Sequence, residues 1–81
     1  MNDQEKLKYA LFKIVLFTGK HGILPLRLLG LAEGFSDRSL ARYAMQEMID
    51  DGEFQVNAER RIIVGDIYLQ EYRERIENLF H

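Results

Sequence analysis

Four polar side chains near the middle of the chain have the types and the spacing that can hydrogen-bond to nucleic acid. They are Arg38, Ser39, Arg42 and Gln46. Residues three or four positions apart lie on one face of a helix, so this segment predicts a polar face turned to solvent. An arginine on such a face can bind a guanine edge or a phosphate, while serine and glutamine can bind bases or backbone. The competing interpretation is a solvated face on which the arginines pair with Asp37 or Gln46.

The opposite side of the same segment is apolar. Leu40, Ala44 and Met48 recur four positions apart, and this spacing predicts the face that packs against a core. Tyr43 stands beside this stripe, where its ring can pack against the preceding helix or its hydroxyl can contact a phosphate. We favour packing for Tyr43, and we keep it among the candidate DNA-binding residues.

Local signals mark where this third helix begins and ends. The side-chain oxygen of Ser36 or Asp37 can accept a backbone hydrogen bond in the first turn. The helix is expected to extend to about Asp51. Gly52 then ends it, because glycine readily adopts the left-handed conformation that follows many helices.

A longer helix is predicted at the start of the chain. Asn2 and Glu5 resemble a capping pair for a helix from about Asp3 to Thr18. Its positions at helical spacing are Leu7, Leu11, Ile14, Val15 and Thr18. Gly19 and Gly22 bracket the basic turn that follows.

A short second helix lies between that turn and Gly34. Pro25 fits its first position, where the missing N–H costs little. Its predicted apolar surface comes from Leu26, Leu28, Leu29 and Leu31.

Two short strands are predicted after the third helix. Phe54 and Val56 alternate with polar residues, Ile62 and Val64 stand at the same spacing, and residues 57–60 are expected to form a hairpin loop between the two segments. The predicted fold class is therefore α+β, mainly helical with a small β-hairpin, in a single domain over residues 1–81.

A fourth helix is predicted over residues 66–81, with Asp66 as its cap. The apolar positions that would pair two copies across a two-fold axis are Leu69, Tyr72, Ile76, Leu79 and Phe80. The alternative is a helix that folds back on the first helix of its own chain. We favour the homodimer, which would set two third helices about one DNA turn apart.

With these elements in order, residues 34–54 resemble winged helix-turn-helix regulators of the MarR and PadR kind, where a glycine-apolar-serine turn precedes the third helix. Gly34, Phe35 and Ser36 supply that turn here, and the resemblance covers about residues 9–65. Within that class, residues 26–29 (LRLL) and 34–40 (GFSDRSL) are similar to the N-terminal domain of the phenylacetate-pathway repressor family. The resemblance implies a third helix that lies in the DNA major groove and a hairpin that acts as a wing.

Further candidate DNA contacts lie outside the third helix. They are Lys20, Arg27, Arg60 and Arg61. Arg60 and Arg61 close the predicted hairpin, where a wing would touch a phosphate or enter a minor groove. Neighbours along a strand point to opposite faces, so we expect at most one of these two to contact DNA. Surface solvation is the alternative for all four residues.

Composition limits the classes of function. The chain has 81 residues, a net charge of -2 and 47% hydrophobic residues, which fit one small globular domain. The acidic balance argues against DNA binding, although much of the acidity lies in the tail from Asp66 onward. The longest apolar run, residues 14–17, is far shorter than the roughly 20 residues that cross a bilayer. We expect a cytoplasmic location.

No pattern in the sequence predicts an enzyme, a cofactor or a metal site. The chain contains no cysteine, which excludes disulfides and thiolate chemistry. Asp50, Asp51 and Glu53 form an acidic cluster, but they flank Gly52 at an expected turn without a histidine partner. A solvated turn explains them better than acid–base or metal chemistry.

Two hypotheses of function follow. The first is a homodimeric winged helix-turn-helix protein that binds double-stranded DNA as a small transcriptional regulator, a repressor that acts by occlusion. The alternative is a winged-helix adaptor or inhibitor that binds a protein and not DNA. A continuous positive strip through Arg38, Arg42 and the wing would favour DNA, whereas broken charge beside an exposed apolar patch would favour a protein.

Overall fold

Three helices and a small antiparallel sheet form the part of the chain that the computed structural model describes, residues 2–66 and residue 70. The elements are α1 (Asp3–Thr18), α2 (Pro25–Ala32), α3 (Arg38–Asp50), β1 (Phe54–Val56) and β2 (Ile62–Val64). The predicted α+β class, mainly helical with a two-stranded hairpin, is confirmed at this level.

The predicted C-terminal helix falls mostly outside the described residues. Of residues 66–81, the structure describes Asp66 and Gln70. The proposed dimerisation positions lie outside it: Leu69, Tyr72, Ile76, Leu79 and Phe80. The homodimer therefore stays a prediction.

Helix α1 has the bounds and the cap that the sequence predicts. The Asn2 side chain accepts a hydrogen bond of 2.8 Å from the backbone N–H of Glu5. This bond satisfies one of the N–H groups that have no partner inside the helix. Leu7, Leu11 and Val15 face inward from α1 and are buried in the core.

The connection between α1 and α2 contains a strand-like pairing that the sequence analysis missed. Ile23 and Ile62 exchange backbone hydrogen bonds of 3.0 and 2.7 Å, so Ile23 lies beside β2 as a one-residue antiparallel bridge. Gly22 makes this approach possible: its φ is 72°, and a Cβ atom there would lie 2.7 Å from the carbonyl oxygen of Ile62. The nearest local signal was Pro25, which favours an extended conformation at Leu24, the residue after Ile23.

Helix α2 begins at Pro25 as predicted, but it buries fewer of its leucines. Leu28, Leu29 and Ala32 are buried, whereas Leu26 and Leu31 are exposed. The predicted apolar residues therefore divide into a buried pair, Leu28 and Leu29, and an exposed pair. In an eight-residue helix one stripe faces the core, and Leu26 and Leu31 lie off that stripe.

Helix α3 packs through a different stripe from the predicted one. Its buried residues are Ala41, Ala44, Met45 and Met48. Leu40 is 61% exposed, so its assignment to the core was wrong, whereas Ala44 and Met48 were assigned correctly. Residues spaced i, i+3, i+4 and i+7 follow the helical repeat more closely than a strict spacing of four, which drifts around the helix.

The hairpin has the predicted strands. Phe54 pairs with Val64 and Val56 with Ile62, and Phe54, Ile62 and Val64 are buried while Val56 is exposed. In the loop, the Asn57 side chain accepts hydrogen bonds from the backbone N–H groups of Glu59 and Arg61, at 3.0 and 2.9 Å. The same asparagine therefore fixes both sides of the turn.

The helices in the described part of the chain are α1, α2 and α3. None of them combines the length and the apolar character that crossing a membrane requires.

Replacing Gly22 with alanine should destabilise the protein by at least about 1–2 kcal/mol, because alanine disfavours positive φ and its methyl group would collide with β2. Gly30→Ala is the matched control, since Gly30 lies within α2 with open space around it. That change should be neutral or stabilising by up to about 1 kcal/mol. Urea unfolding measures both, and equal stabilities of the two variants would contradict the close approach at Gly22.

The revised packing of α3 predicts opposite sensitivities at two neighbouring apolar positions. Met48→Ala should cost about 2–5 kcal/mol of unfolding free energy, because Met48 is 2% exposed and its loss opens a cavity. Leu40→Ala should change it by less than about 0.5 kcal/mol. Thermal and urea unfolding measure both variants. A larger loss of unfolding free energy for Leu40→Ala than for Met48→Ala would show that Leu40 packs in the core, as the sequence predicted.

Candidate nucleic-acid interface

Helix α3 is oriented by its cap and by the turn before it. The Asp37 carboxylate accepts a hydrogen bond of 2.7 Å from the backbone N–H of Ser39, which selects Asp37 over Ser36 as the cap. The backbone N–H of Ser36 donates to the carbonyl oxygen of Ala32 at 2.9 Å. These two bonds close the α2–α3 turn from both sides, so the polar face of α3 has a fixed direction relative to α2.

A polar contact ties α3 to α1 on another side. Glu47 accepts hydrogen bonds from the ammonium group of Lys8 at 2.8 Å and from the side-chain amide of Gln4 at 2.9 Å. The hydrogen bond to the Glu47 carboxylate raises the pKa of Lys8 above its usual value. Glu47 is therefore engaged with α1 rather than available to interact with the arginines of α3.

The candidate residues of α3 form one exposed surface. Arg38, Ser39, Arg42, Tyr43 and Gln46 line a shallow depression of about 520 Å³. All five are exposed to solvent, as predicted for the polar positions. We call these five side chains the α3 face.

Tyr43 does not pack as predicted. It is 61% exposed, because it lies two residues from both Ala41 and Met45 and hence on the far side of α3 from the core. The expectation that its ring packs against α2 was wrong. Its position beside the arginines leaves the hydroxyl free to reach a ligand of the α3 face.

Internal partners hold part of the α3 face. The guanidinium of Arg38 lies 3.2 Å from the carboxylate of Glu33, and the amide of Gln46 donates a hydrogen bond of 3.0 Å to Asp50. The sequence predicted Asp37 or Gln46 as the partner of the arginines. The observed partner of Arg38 is Glu33 instead. Among the described residues, Arg42 has neither an ion pair nor a side-chain hydrogen bond, so Arg42 is the cation of this face with its donors available.

The hairpin presents its two arginines differently. Arg60 is exposed and has a φ of 64°, a left-handed conformation that is uncommon for a residue with a side chain. Arg61 is partly buried, and its Nε atom lies 3.8 Å from the carboxylate of Glu59. Arg60 is therefore the freer of the two to reach a ligand.

The remaining predicted contacts are not neighbours of the α3 face. Arg27 and Arg61 line a groove between α1 and α2 together with Lys13. Lys20 lines a smaller depression of about 250 Å³ that also includes Asp66. The structure thus distributes the predicted basic residues over separate surfaces, which sequence order alone did not reveal.

An exposed apolar patch adjoins the α3 face. Phe35, Leu40 and Tyr43 line a groove of about 770 Å³ between the start of α1 and the α2–α3 turn, with Asp3 and Lys6 at its α1 side. The three apolar side chains are each more than half exposed. This patch was not predicted from the sequence, because the apolar spacing placed Leu40 and Tyr43 in packing and Phe35 in the turn.

The acidic cluster after α3 has the geometry of a turn. Asp51 ends the helix, and Gly52 has a φ of 82°. Within the described part of the chain, no three histidine, aspartate or glutamate side chains come together in a way that could hold a metal ion.

Comparisons of the chain with protein families, with curated proteins and with solved structures find no match.

Proposed function

We propose that this chain is a winged helix-turn-helix protein that binds double-stranded DNA sequence-specifically and acts as a small transcriptional regulator. In this proposal α3 lies in the major groove, the hairpin is the wing, and two copies bind a palindromic site. Occupying the site would repress transcription by occlusion. The helix, helix, helix, hairpin order of the described residues supports the winged arrangement.

The observation that carries the proposal is the α3 face. A capped helix follows a tight turn and presents two arginines, a serine, a tyrosine and a glutamine on the side away from the core. Arg42 lies about one turn from the start of this helix, where a guanidinium fork can form two hydrogen bonds with a guanine. Arg38 is exposed, and its ion pair with Glu33 is a surface pair that contributes little to the stability of the fold. A DNA phosphate can therefore take the place of Glu33 as the partner of Arg38.

A second function is favoured by one specific observation. The patch of Phe35, Leu40 and Tyr43 adjoins the α3 face, and Glu33 and Asp50 interrupt the positive charge there. Broken charge beside exposed apolar side chains suits a protein partner better than a phosphate backbone. The competing proposal is therefore an interaction module that docks a protein on the same side of α3.

Selection of bound duplexes from a random DNA pool distinguishes these two functions. We expect the wild-type chain to enrich a palindromic sequence at low salt. The Arg38→Ala, Arg42→Ala variant should lose that enrichment, and each lost bidentate base contact should cost about 1–3 kcal/mol. Affinity for the selected duplex should fall steeply with salt, and the slope should be shallower in the variant because fewer counterions are released.

The Lys6→Ala, Lys13→Ala variant controls for net charge. It removes two exposed cations from α1 and leaves the α3 face intact. We expect this control to keep the selected sequence. Absence of any enriched sequence at low salt would reject DNA binding and favour the interaction module.

The wing can be tested without disturbing its conformation. Glycine accepts the positive φ of Arg60, so Arg60→Gly should leave the stability unchanged or slightly higher. If Arg60 contacts a phosphate, this change should weaken DNA binding uniformly across sequences and reduce the salt slope by about one unit. Titrations at several salt concentrations measure both effects, and an unchanged slope would remove Arg60 from the interface.

A further inference from the structure

A groove between α1 and α2 combines apolar walls with a basic rim. Its volume is about 670 Å³, and the residues that define it are Lys13, Phe17, Leu24, Arg27, Leu31 and Arg61. We call it the basic groove. It shares no residue with the α3 face, so a ligand could occupy it while α3 is bound to something else.

The apolar side chains of the basic groove are unusually accessible. Phe17 is 93% exposed, the largest value among the exposed large hydrophobic residues of the described part. Leu24 and Leu31 are about half exposed and line the same groove, at 47% and 50%. Exposed apolar side chains that converge on one concave site are typical of a binding surface, whereas isolated ones are common on any protein.

The charge of the groove is one-sided. Lys13, Arg27 and Arg61 line it, and no described residue on its lining carries a carboxylate. This contrasts with the whole chain, whose net charge is -2. The groove is therefore a positive site on an acidic protein, and an anionic ligand would be attracted to it specifically.

Internal interactions leave these cations largely unmatched. The ammonium group of Lys13 lies 4.3 Å from the centre of the Tyr9 ring, a contact that does not neutralise its charge. Arg61 lies 3.8 Å from the largely exposed carboxylate of Glu59, and a surface pair at that distance is weak. In the described part of the chain, Arg27 has no ion pair.

We propose that the basic groove docks an acidic amphipathic helix from a partner protein. Apolar side chains spaced three and four positions apart on that helix pack against Phe17 and Leu31. Carboxylates on its flanks pair with Lys13, Arg27 and Arg61. A helix laid in a groove is a common form of peptide recognition, and this groove offers both the apolar contact and the charge that an acidic amphipathic helix needs.

Two other anionic ligands fit less well. A DNA duplex presents phosphates but no apolar surface that would cover Phe17. A membrane surface is broad and cannot enter the space between two helices. The proposal does not depend on DNA binding by α3, and its failure would leave that proposal standing.

Peptide selection tests the inference directly. A random 16-residue library displayed on phage is selected against the full chain, and the enriched peptides are then assayed on Phe17→Ser. We expect enriched peptides with net negative charge and apolar residues at helical spacing. Phe17 and Arg27 are exposed, so their replacement should leave the fold intact, which circular dichroism and thermal unfolding verify.

A charge swap then identifies the contact. With one selected peptide as the fluorescent probe, Arg27→Glu should weaken binding by at least about tenfold. Exchanging glutamates of the peptide for lysine should restore binding to Arg27→Glu. Phe35→Ser and Arg42→Glu, which change an aromatic and a cation elsewhere, should bind the original peptide as well as the wild type.

Four results would overturn the proposal. They are the absence of enriched peptides, enrichment of basic peptides, enriched peptides that bind Phe17→Ser undiminished, and failure of the charge swap to restore binding. Vesicles of phosphatidylcholine and phosphatidylserine provide a further test by co-sedimentation. Binding to vesicles that depends on Phe17, without peptide binding, would assign the groove to a membrane surface instead.

Discussion

The pairing between Ile23 and Ile62 is the contact on which the arrangement of this fold depends. Both backbone hydrogen-bonding groups of Ile62 are used by Ile23, while β1 lies on the other edge of β2. Ile62 is also fully buried, so the same residue serves the sheet and the core. The bridge fixes the hairpin to the connection that leads into α2, and the α2–α3 turn fixes α3. Hairpin and α3 therefore have defined positions relative to one another.

Features with local causes were predictable from the sequence. Asn2, Pro25, Asp37 and Gly52 act at or next to helix ends through bonds and conformations that involve a few neighbouring residues. Features that depend on distant neighbours were not predictable. The bridge at Ile23 involves one residue, and a single residue carries no alternating pattern that would mark a strand.

The candidate site also combines features with local causes and features that depend on distant residues. The exposed polar positions of α3 followed from their spacing, whereas the exposure of Leu40 and Tyr43 depended on which stripe packs against α1 and α2. The ion pair between Arg38 and Glu33 crosses the α2–α3 turn, so it depends on the shape of that turn. The grouping of Arg27 with Arg61 requires residues far apart in sequence to meet across the fold, and no motif records that.

The same Ile23–Ile62 bridge has a consequence for the order of folding. Its two residues stand on opposite sides of α2 and α3 in the chain, so forming it closes a loop that contains both helices. Loop closure costs conformational entropy before the contact returns any stabilisation. The helices and the hairpin have short-range contacts and can form without that cost. We therefore expect the α1–α2 connection to join the sheet late in folding.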